Sequence, residues 1–514
     1  MLLALSRQIS EIDKYCAETL CIPLCELMER SGRAVEKCLR ERVFAGSSVV
    51  ILAGGGNNGG DGYALATHIM SDYKTTVFDC FSRGQRTEEG RYFLEKYREN
   101  GGRVENLTLS AEDIDLISRA DCIVDALFGT GYSGELPLIA KELAKCVNKI
   151  GGAVKIAIDV PLGVNADNGS LYSDCALRAD ATVALCLPKP GLLSYPAREF
   201  AGEIVYDGLG IPYDKLASRF SFDYNLIDRD LARSLLPRRE KNSNKGSFGK
   251  LLVITGSDKY RGAAHLSLES ALRGGVGLVD FLGTESLCRE LLMKYPEAIY
   301  HMYPPVESLA DTDIHSISEL SARHSATLIG SGSGLSEGLY RLVKRLLLTD
   351  GGPLILDADA LNSLACHREE LKGLLQDSHR ELILTPHPLE FARLYGTDVS
   401  YVQAHRIEAA LAFAREYAVT LVLKGAATVV TDGKTVYINS SGSSALAKAG
   451  SGDVLAGLIA STVASGAMPA RGAAASVYYH GIAADYLAGE LSELGVIPSD
   501  LPCEIARQIA HSKK

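Results

Sequence analysis

The sequence predicts two α/β domains in tandem, each built on a mostly parallel sheet. Short apolar runs rich in β-branched residues alternate with longer helical patterns, and this rhythm is typical of βαβ units. The alternation stops in a polar, charged stretch at 228–245 and begins again at 250–255. We therefore place a domain boundary near residue 225, between domains at 1–225 and 226–514.

In the first domain, a helical pattern precedes three strand patterns. We predict the helix at 24–35 and the strands at 48–52, 122–125 and 154–159. Because parallel strands need crossover connections, which are usually helices, this order predicts a Rossmann-like, three-layer α/β/α domain.

The second domain repeats the alternation. Its predicted strands lie at 250–255, 326–329, 353–357, 381–384 and 420–424. Each strand leads into a glycine-rich or polar turn. The Ala-, Gly- and Ser-rich stretch at 451–475 predicts tightly packed helices, so we expect a second α/β domain here.

The composition excludes several classes of partner. The net charge of the 514 residues is −10 and no long Lys/Arg run occurs, which argues against nucleic acid. No stretch offers about 18 uninterrupted apolar residues, and the N-terminal apolar run is too short for a secretory signal. The 12 cysteines form no CxxC pair, so we interpret them as reduced thiols. We expect a cytoplasmic protein with small-molecule partners and no membrane partner.

The first chemical motif is the glycine-rich segment 54–62, which follows a predicted strand and precedes the helical pattern at 63–69. Such a loop presents backbone N–H groups to an anion, while Asn57, Asn58 and Asp61 add polar groups. The spacing matches neither the usual dinucleotide fingerprint nor a P-loop. A purely structural turn is the alternative, which these three polar residues disfavour.

Two further polar loops, 125–131 and 159–163, follow predicted strands. Open α/β sheets bind their ligands at the carboxyl ends of strands, so we expect the three loops to converge. Asp159 is either an acid–base residue or an aspartate that caps a turn, and we favour the acid–base role.

The motifs GGGNNGGDGY, VDALFGTG, AIDVPLGV and LCLPKPGLL resemble, in order and spacing, the NAD(P)H-hydrate epimerase family. The resemblance covers nearly all of 1–225 and implies a catalytic role for Asp159. The residues that it assigns to the hydrated dinucleotide are Asn57, Asn58, Gly59, Gly60, Asp61, Gly129, Thr130, Gly131, Tyr132, Ser133, Gly134, Glu135 and Asp159.

The same resemblance implies a potassium ion near Asn58, Asp125 and position 162. The family usually has serine at position 162. This chain has Leu162, which offers a cation only its backbone carbonyl.

The second chemical motif is the small-residue turn at 447–457, which carries Asp453 into the first turn of an apolar helix. Consecutive N–H groups at 450–453 can stabilise charge on a transferring phosphoryl group, and the Asp453 carboxylate can accept a hydroxyl proton. The alternative is an aspartate that only interacts with the helix N-terminus. We favour phosphoryl transfer because of the neighbouring motifs.

Those motifs again follow predicted strands. The loop 424–428 begins with Lys424 and suits nucleotide phosphates, while 385–390 places His387 and Glu390 in a proline-stiffened loop. The turn 329–335 is rich in glycine, which permits close approach to a ligand. A further strand ends with Asp357 and Asp359, which either organise magnesium or cap a helix, and we favour capping.

The motifs KGSFGKLLVITGS, GAAHLSLESALRGGVGLV, LDADALN, LTPHPLEFARL, LKGAATVV and AGSGDVLAG resemble the ADP- or ATP-dependent NAD(P)H-hydrate dehydratase family, which has a ribokinase-like fold. The resemblance spans about 226–510. It implies that the hydrated dinucleotide meets Ala263, Gly332, His387 and catalytic Asp453. It assigns to the nucleotide, with magnesium, Lys424, Gly425, Ala426, Ala427, Thr428 and Gly452. The stretch 443–449 departs from the family's usual Asn-Pro-Gly-Met-Ala-Thr-Gly.

Together the resemblances predict a repair enzyme for hydrated NADH and NADPH (NADHX and NADPHX). One domain would interconvert the R and S epimers, and the other would dehydrate the S epimer with ADP or ATP. The fused arrangement resembles bacterial enzymes and favours ADP. Two alternatives stay open: a kinase of a small alcohol, and an epimerase domain that binds without turnover. We expect a homo-oligomer, although no interface can be identified in the sequence.

Overall fold

The computed structural model describes residues 1–80 and 86–512. The chain forms two compact units, Leu2–Tyr224 and Asn225–Lys514, and Met1 groups with the second. Within the described ranges, no helix combines the length and apolarity needed to cross a membrane.

The first 224 residues hold eight strands and nine helices along the described part of the chain. The strands are β1 (Leu2–Leu3), β2 (Ser48–Ala53), β3 (Lys74–Asp79), β4 (Arg103–Asn106), β5 (Cys122–Ala126), β6 (Val154–Ile158), β7 (Ala181–Leu185) and β8 (Glu203–Asp207). The helices are α1 (Ser6–Glu18), α2 (Leu24–Arg40), α3 (Asn57–Ile69), α4 (Glu88–Glu99), α5 (Ala111–Ser118), α6 (Leu138–Lys149), α7 (Pro190–Leu193), α8 (Arg198–Ala201) and α9 (Tyr213–Arg219).

The first unit is a parallel sheet in the order β4-β3-β2-β5-β6-β7-β8. Alternate residues of β2 enter cores on opposite faces, Val49 and Ile51 on one and Val50 and Leu52 on the other. Both faces are therefore covered, which explains the uninterrupted apolar runs of the strands. The predicted three-layer α/β/α arrangement is confirmed.

Helix α3 begins earlier than the sequence predicts. We expected a loop at 54–62, but the helix starts at Asn57 and includes most of the glycine-rich segment. Glycine makes this possible because a Cβ on Gly59 would lie 1.9 Å from the carbonyl oxygen of Gly54. The first turn of α3 is thereby pressed against the end of β2.

The second unit continues the numbering. Its strands are β9 (Tyr224–Ile227), β10 (Lys250–Ile254), β11 (Leu278–Gly283), β12 (Ile299–Met302), β13 (Ala326–Ile329), β14 (Leu354–Leu356), β15 (Leu382–Leu384), β16 (Thr420–Leu423), β17 (Val429–Thr431) and β18 (Val436–Asn439). Its helices are α10 (Arg229–Leu235), α11 (Arg261–Arg273), α12 (Glu285–Lys294), α13 (Asp311–Ala322), α14 (Glu337–Leu347), α15 (Asp359–Cys366), α16 (Arg368–Gln376), α17 (Pro388–Tyr395), α18 (Val399–Ala404), α19 (Arg406–Tyr417), α20 (Ser451–Ala464), α21 (Pro469–Gly495) and α22 (Leu501–His511).

Strands of the second unit stand in the order β9-β18-β17-β16-β15-β14-β13-β10-β11-β12. Neighbouring strands from β10 to β16 are parallel, whereas β17 is antiparallel to both β16 and β18. Small residues let α20 pack closely on α11, because a Cβ on Gly457 would lie 2.2 Å from the carbonyl oxygen of Ser267. The prediction of tightly packed helices after 451 is confirmed.

Candidate active sites

The first site lies at the switch point of the N-terminal sheet. The strand order reverses between β2 and β5, and the carboxyl ends of these strands border a cavity of about 440 Å³. Open α/β sheets bind ligands at such points because the flanking loops run apart. The cavity is lined by α1, α2, the start of α3 and the loops after β5, β6 and β7, among other segments.

Eight residues that the epimerase resemblance assigns to the substrate line this cavity. They are Asn57, Asn58, Asp61, Gly129, Thr130, Gly131, Tyr132 and Asp159. Five assigned residues lie outside the lining: Gly59, Gly60, Ser133, Gly134 and Glu135. Glu135 is exposed and pairs with Lys141 at 2.7 Å. The predicted loop 129–135 thus contributes its first half to the cavity.

The start of α3 presents backbone N–H groups to the cavity. Gly56 is the residue before the first turn, and no side chain caps the helix. Asn57 and Asn58 form the first turn and line the cavity. An uncapped helix start of this kind suits a negatively charged group such as a phosphate.

Four carboxyl groups and one ammonium group line the cavity: Asp13, Asp61, Glu89, Asp159 and Lys189. Lys189 is 0% exposed and donates to Asp159 and, at 2.8 Å, to the Leu185 carbonyl. Burial raises the pKa of Asp61 well above its usual value, and the charge of Asp159 adds to the rise. Burial also raises the pKa of Asp13 to about 6, supported by Asp159 and opposed by Lys189. Burial and repulsion between these carboxylates thus favour the protonated forms of Asp13 and Asp61.

Asp159 has a left-handed backbone, with φ of +66° directly after β6. Its Oδ1 accepts from Lys189 and from the N–H of Leu185 at 3.3 Å, rather than capping a turn of its own. Aspartate tolerates positive φ better than most residues, but the conformation is still uncommon and occurs most often at functional sites. This geometry favours the acid–base interpretation of Asp159.

Sequence reasoning missed two members of this cluster. Lys189 lies within the motif LCLPKPGLL, yet we assigned it no role. Asp13 is signalled by its place in α1, four residues after Ile9 and three before Cys16, both of which are buried. A charged residue on an apolar stripe is unusual enough to have marked it.

Asp125 is 0% exposed and no cationic side chain of the described residues pairs with it. Its carboxylate accepts the N–H groups of Leu127 at 3.1 Å and Leu162 at 2.6 Å, and burial raises its pKa to about 6. The Leu162 carbonyl accepts the N–H of Leu177 at 2.9 Å. Asn58 is buried, and its amide nitrogen is unpartnered. A buried carboxylate without a cationic partner and the side-chain oxygen of a buried asparagine are both ligand types that suit a hard cation.

The second site lies at the carboxyl ends of β13 to β16, where the carboxylate of Asp357 accepts hydrogen bonds from residues of three loops. Its Oδ1 accepts from Lys424 at 2.9 Å and from Thr385 at 2.7 Å, and its Oδ2 accepts from Ser331 at 2.8 Å. Asp359 accepts the Gly334 N–H at 2.8 Å. Helix α15 has no side-chain cap. The prediction that these aspartates cap a helix was therefore wrong, because both carboxylates accept hydrogen bonds from residues of other loops instead.

Asp453 lies in the first turn of α20, and this helix begins directly after the left-handed Gly450. Burial raises the pKa of Asp453 to about 7, followed by repulsion from Asp357, while Lys424 opposes the rise. The Lys424 amine lies near Gly452, since a Cβ there would be 3.4 Å away. The predicted base and lysine thus lie within electrostatic range of each other and of several carboxylates.

His387 begins α17 and is held by the helix that it caps. Its Nδ1 accepts the N–H groups of Leu389 at 3.1 Å and Glu390 at 3.2 Å, while Glu390 accepts the His387 N–H at 2.8 Å. Burial lowers the pKa of His387, and Lys424 lowers it further. A neutral ring with Nδ1 occupied carries its proton on Nε2, so this histidine is a donor.

The loop 424–428 is shaped by Arg406, which sequence reasoning also missed. Arg406 is 3% exposed and donates to the carbonyls of Leu423 at 3.1 Å and Lys424 at 3.0 Å. No carboxylate of the described residues pairs with it, and burial lowers its pKa to about 10. Gly425 has φ of +134° and leaves room for the guanidinium. An unneutralised cation therefore lies directly behind the loop.

Ala263 and Gly332 lie in contact, because a Cβ on Gly332 would be 2.6 Å from that of Ala263. Beside them is a cavity of about 490 Å³, lined partly by Tyr260 and Gly334. It lies where the strand order reverses between β10 and β13. Gly334 also bonds Asp359, so this cavity borders the carboxylate cluster.

Two family models match the chain. The model described as NAD(P)H-hydrate dehydratase matches residues 251–507, and the model described as YjeF-related protein N-terminus matches residues 24–191. The C-terminal unit is also similar to a solved ribokinase-like superfamily protein of Enterococcus faecalis V583. The TM-score is 0.50 at 23% identity, over 57% of this chain and 98% of that one. The predicted ribokinase-like fold is confirmed.

Two curated relatives match nearly the whole chain, and both are named bifunctional NAD(P)H-hydrate repair enzyme Nnr. The protein of Moorella thermoacetica is 35% identical over 98% of this chain and 95% of its own length. The protein of Coxiella burnetii is 33% identical over 96% of this chain and 97% of its own length. Full-length similarity with both motif sets in place leads to one conclusion: the chain belongs to the family of bifunctional NAD(P)H-hydrate repair enzymes.

Proposed function

We propose that the unit at 1–225 epimerises hydrated NADH and NADPH and that the unit at 226–514 dehydrates the S epimer at the expense of ADP or ATP. Family membership supports both activities. The observation that carries the proposal is the pair of charge clusters, one around Asp159 and one around Asp453, each at the carboxyl edge of its own sheet.

Epimerisation must invert the ring carbon that bears the hydroxyl group. Asp159, paired with Lys189, takes the hydroxyl proton, and the freed electron pair forms a carbonyl. The bond from that carbon to the ring nitrogen breaks, its pair remains on nitrogen, and nitrogen gains a proton. Rotation of the open aldehyde and closure on its other face return the ring with inverted configuration.

Dehydration begins with transfer of a phosphoryl group to the same hydroxyl. The hydroxyl oxygen attacks the terminal phosphorus while its proton passes to Asp453, and the nucleotide departs as AMP from ADP or as ADP from ATP. Phosphate then leaves the ring carbon, assisted by the nitrogen lone pair and by the Nε2–H of His387. The departing phosphate takes a proton from the adjacent carbon, and the ring double bond is restored.

We propose that Lys424, Gly425, Ala426, Ala427, Thr428 and Gly452 contact the nucleotide. A magnesium ion carried by its phosphates fits Asp359, whose pKa is raised by burial and by Asp357. Only one of its oxygens has a described partner, Gly334. When bound, the ion offsets phosphate charge. Positioning of the hydroxyl and removal of its proton fall to the protein.

We propose a potassium ion in the first unit, held by oxygen atoms of Asp125 and Asn58. A carbonyl has two lone pairs, so Leu162 can contribute even though it already accepts one N–H group. When bound, the ion neutralises the buried carboxylate. The wild type should then melt higher in KCl than in NaCl of equal ionic strength, and Asp125→Asn should abolish that difference.

The deciding experiment measures recovery of reduced-nicotinamide absorbance from separated S and R epimers of NADHX, with ADP, ATP or no nucleotide. Nucleotide-dependent recovery from both epimers would support the proposal and identify the phosphoryl donor. Recovery from S alone would reduce the first unit to a binding module. No recovery from either epimer would overturn the proposal in favour of a small-alcohol kinase.

A further inference from the structure

The epimerase mechanism leaves one proton unexplained. Opening the ring deposits a proton on nitrogen and closing it takes that proton away, whereas Asp159 is engaged at the hydroxyl oxygen. A second acid–base group must therefore reach the same cavity. Two of the other carboxyl groups that line this cavity, Asp61 and Asp13, are close enough to Asp159 for its charge to raise their pKa values.

Asp61 is a poor candidate because it is deeply buried and its pKa lies well above the usual value. Burial disfavours the ionised form that Asp61 would have to adopt after giving a proton to the substrate. Asp13 is less buried than Asp61 and reaches the cavity from α1, next to Ile9 and Ser10 of the same lining. Asp13 and Asp159 line the same cavity, and Asp13 belongs to none of the assigned motifs.

The position of Asp13 argues against a structural role. It stands on the apolar stripe of α1 with Ile9, Ile12 and Cys16, where an apolar side chain would pack better. No hydrogen bond or ion pair of the described residues engages its carboxylate. A carboxyl group retained there at a cost in stability is typical of a functional residue.

We propose that Asp13 is a second catalytic residue of epimerisation, which gives a proton to the ring nitrogen as the carbon–nitrogen bond breaks and takes it back on closure. This inference rests on the proposed epimerase function. In the forward half, Asp159 gains the hydroxyl proton and Asp13 loses one to nitrogen. In the return half, both transfers reverse on the other face, so the enzyme ends with the protons that it began with.

Several titratable groups face Asp13: Asp61, Asp159, Lys189, Cys16 and Cys186. Burial raises the pKa of Asp13 to about 6, and Asp159 adds to this while Lys189 opposes it. Because the group must be protonated to start the reaction, kcat/KM should fall as pH rises above about 6. Its pKa is close enough to neutrality for transfer in both directions.

The test compares full-length wild type with Asp13→Asn, Asp13→Glu and Glu11→Gln. Glu11 is an exposed carboxylate on the same helix and serves as the matched control. Net epimerisation is followed as conversion of pure R epimer to S across pH 5 to 8, after subtraction of the rate without enzyme. The kcat of Asp13→Asn should be about 100-fold below that of wild type. Its kcat/KM should no longer fall as pH rises above 6. Asp13→Glu should retain that fall, and Glu11→Gln should match wild type.

The proposal is overturned if Asp13→Asn keeps wild-type kcat and pH profile. If circular dichroism shows that Asp13→Asn fails to fold, Asp13→Glu decides, and loss of the pH-dependent fall in that folded variant overturns it. Failure of the proposed function is distinguishable, because wild type itself would then leave the R epimer unchanged. That outcome would overturn both proposals.

Discussion

Lys189 donates its ammonium hydrogen to Asp159 from a side chain that is fully shielded from solvent. A buried pair of this kind depends on both partners, because the loss of either leaves an uncompensated charge. The pairing offsets the charge of Asp159 in a cavity where burial raises the pKa of the neighbouring Asp13 and Asp61.

Lys189→Met should destabilise the first unit by about 3–5 kcal/mol and abolish epimerisation, because it strands Asp159 as a buried charge. Thermal melting and the R-to-S assay would measure both effects. Lys141→Met is the control, since it removes only the solvent-screened surface pair with Glu135 and should leave the melting temperature nearly unchanged. Equal melting of the two variants would contradict the buried-pair interpretation.

Asp159→Asn should reduce R-to-S conversion by at least about 100-fold, since the amide cannot accept the hydroxyl proton. Nucleotide-dependent dehydration of pure S epimer should be unchanged, because Asp453 lies in the other unit. Asparagine tolerates the positive φ at this position, so the backbone should survive. Full retention of epimer conversion would refute the assigned role.

Asp453→Asn should abolish dehydration and spare epimerisation. The wild-type rate of dehydration should rise with pH to a plateau above about 7, because the base acts when ionised. The raised pKa also means that folding favours the protonated form, so this group lowers stability as pH rises from its unfolded pKa near 4 to about 7. The variant should therefore melt above wild type at pH 8 and no higher at pH 3. Normal dehydration by Asp453→Asn would exclude it as the base.

Arg406→Met should raise the KM for the nucleotide about tenfold, because the loop at 424–428 would lose both its backbone support and the positive charge behind it. Arg415→Met is matched, since Arg415 lies on the same helix and donates to the Gly433 carbonyl instead. Steady-state kinetics at saturating S epimer would compare the two. An unchanged KM in Arg406→Met would rule out a role for this charge.

The sequence predicted the two α/β folds well because their strands are buried on both faces and stand out as apolar runs. It misplaced the start of α3, since glycine is a poor helix former, and close contacts such as that of Gly59 with Gly54 leave no room for a side chain there. It also mistook Asp357 for a cap, because its partners Ser331, Thr385 and Lys424 come from loops far apart in the chain.

The residues missed at the sites share one property, which is that their roles depend on distant contacts. Lys189 reaches Asp159 across 30 positions, and Arg406 reaches the Lys424 carbonyl across 18. Local patterns contain no information about such pairs. Asp13 alone left a local sign, as a charged residue on an apolar helical stripe.

The left-handed turn at Asp159 limits which substitutions natural drift can fix there. Asparagine and glycine fit the turn but lack the carboxylate, whereas glutamate keeps the acid and strains the chain. A single substitution here therefore either keeps the backbone conformation and removes the catalytic carboxylate, or keeps a carboxylate and strains the backbone. A lineage that no longer needs the R epimer could lose catalysis in a single step while its first unit persisted.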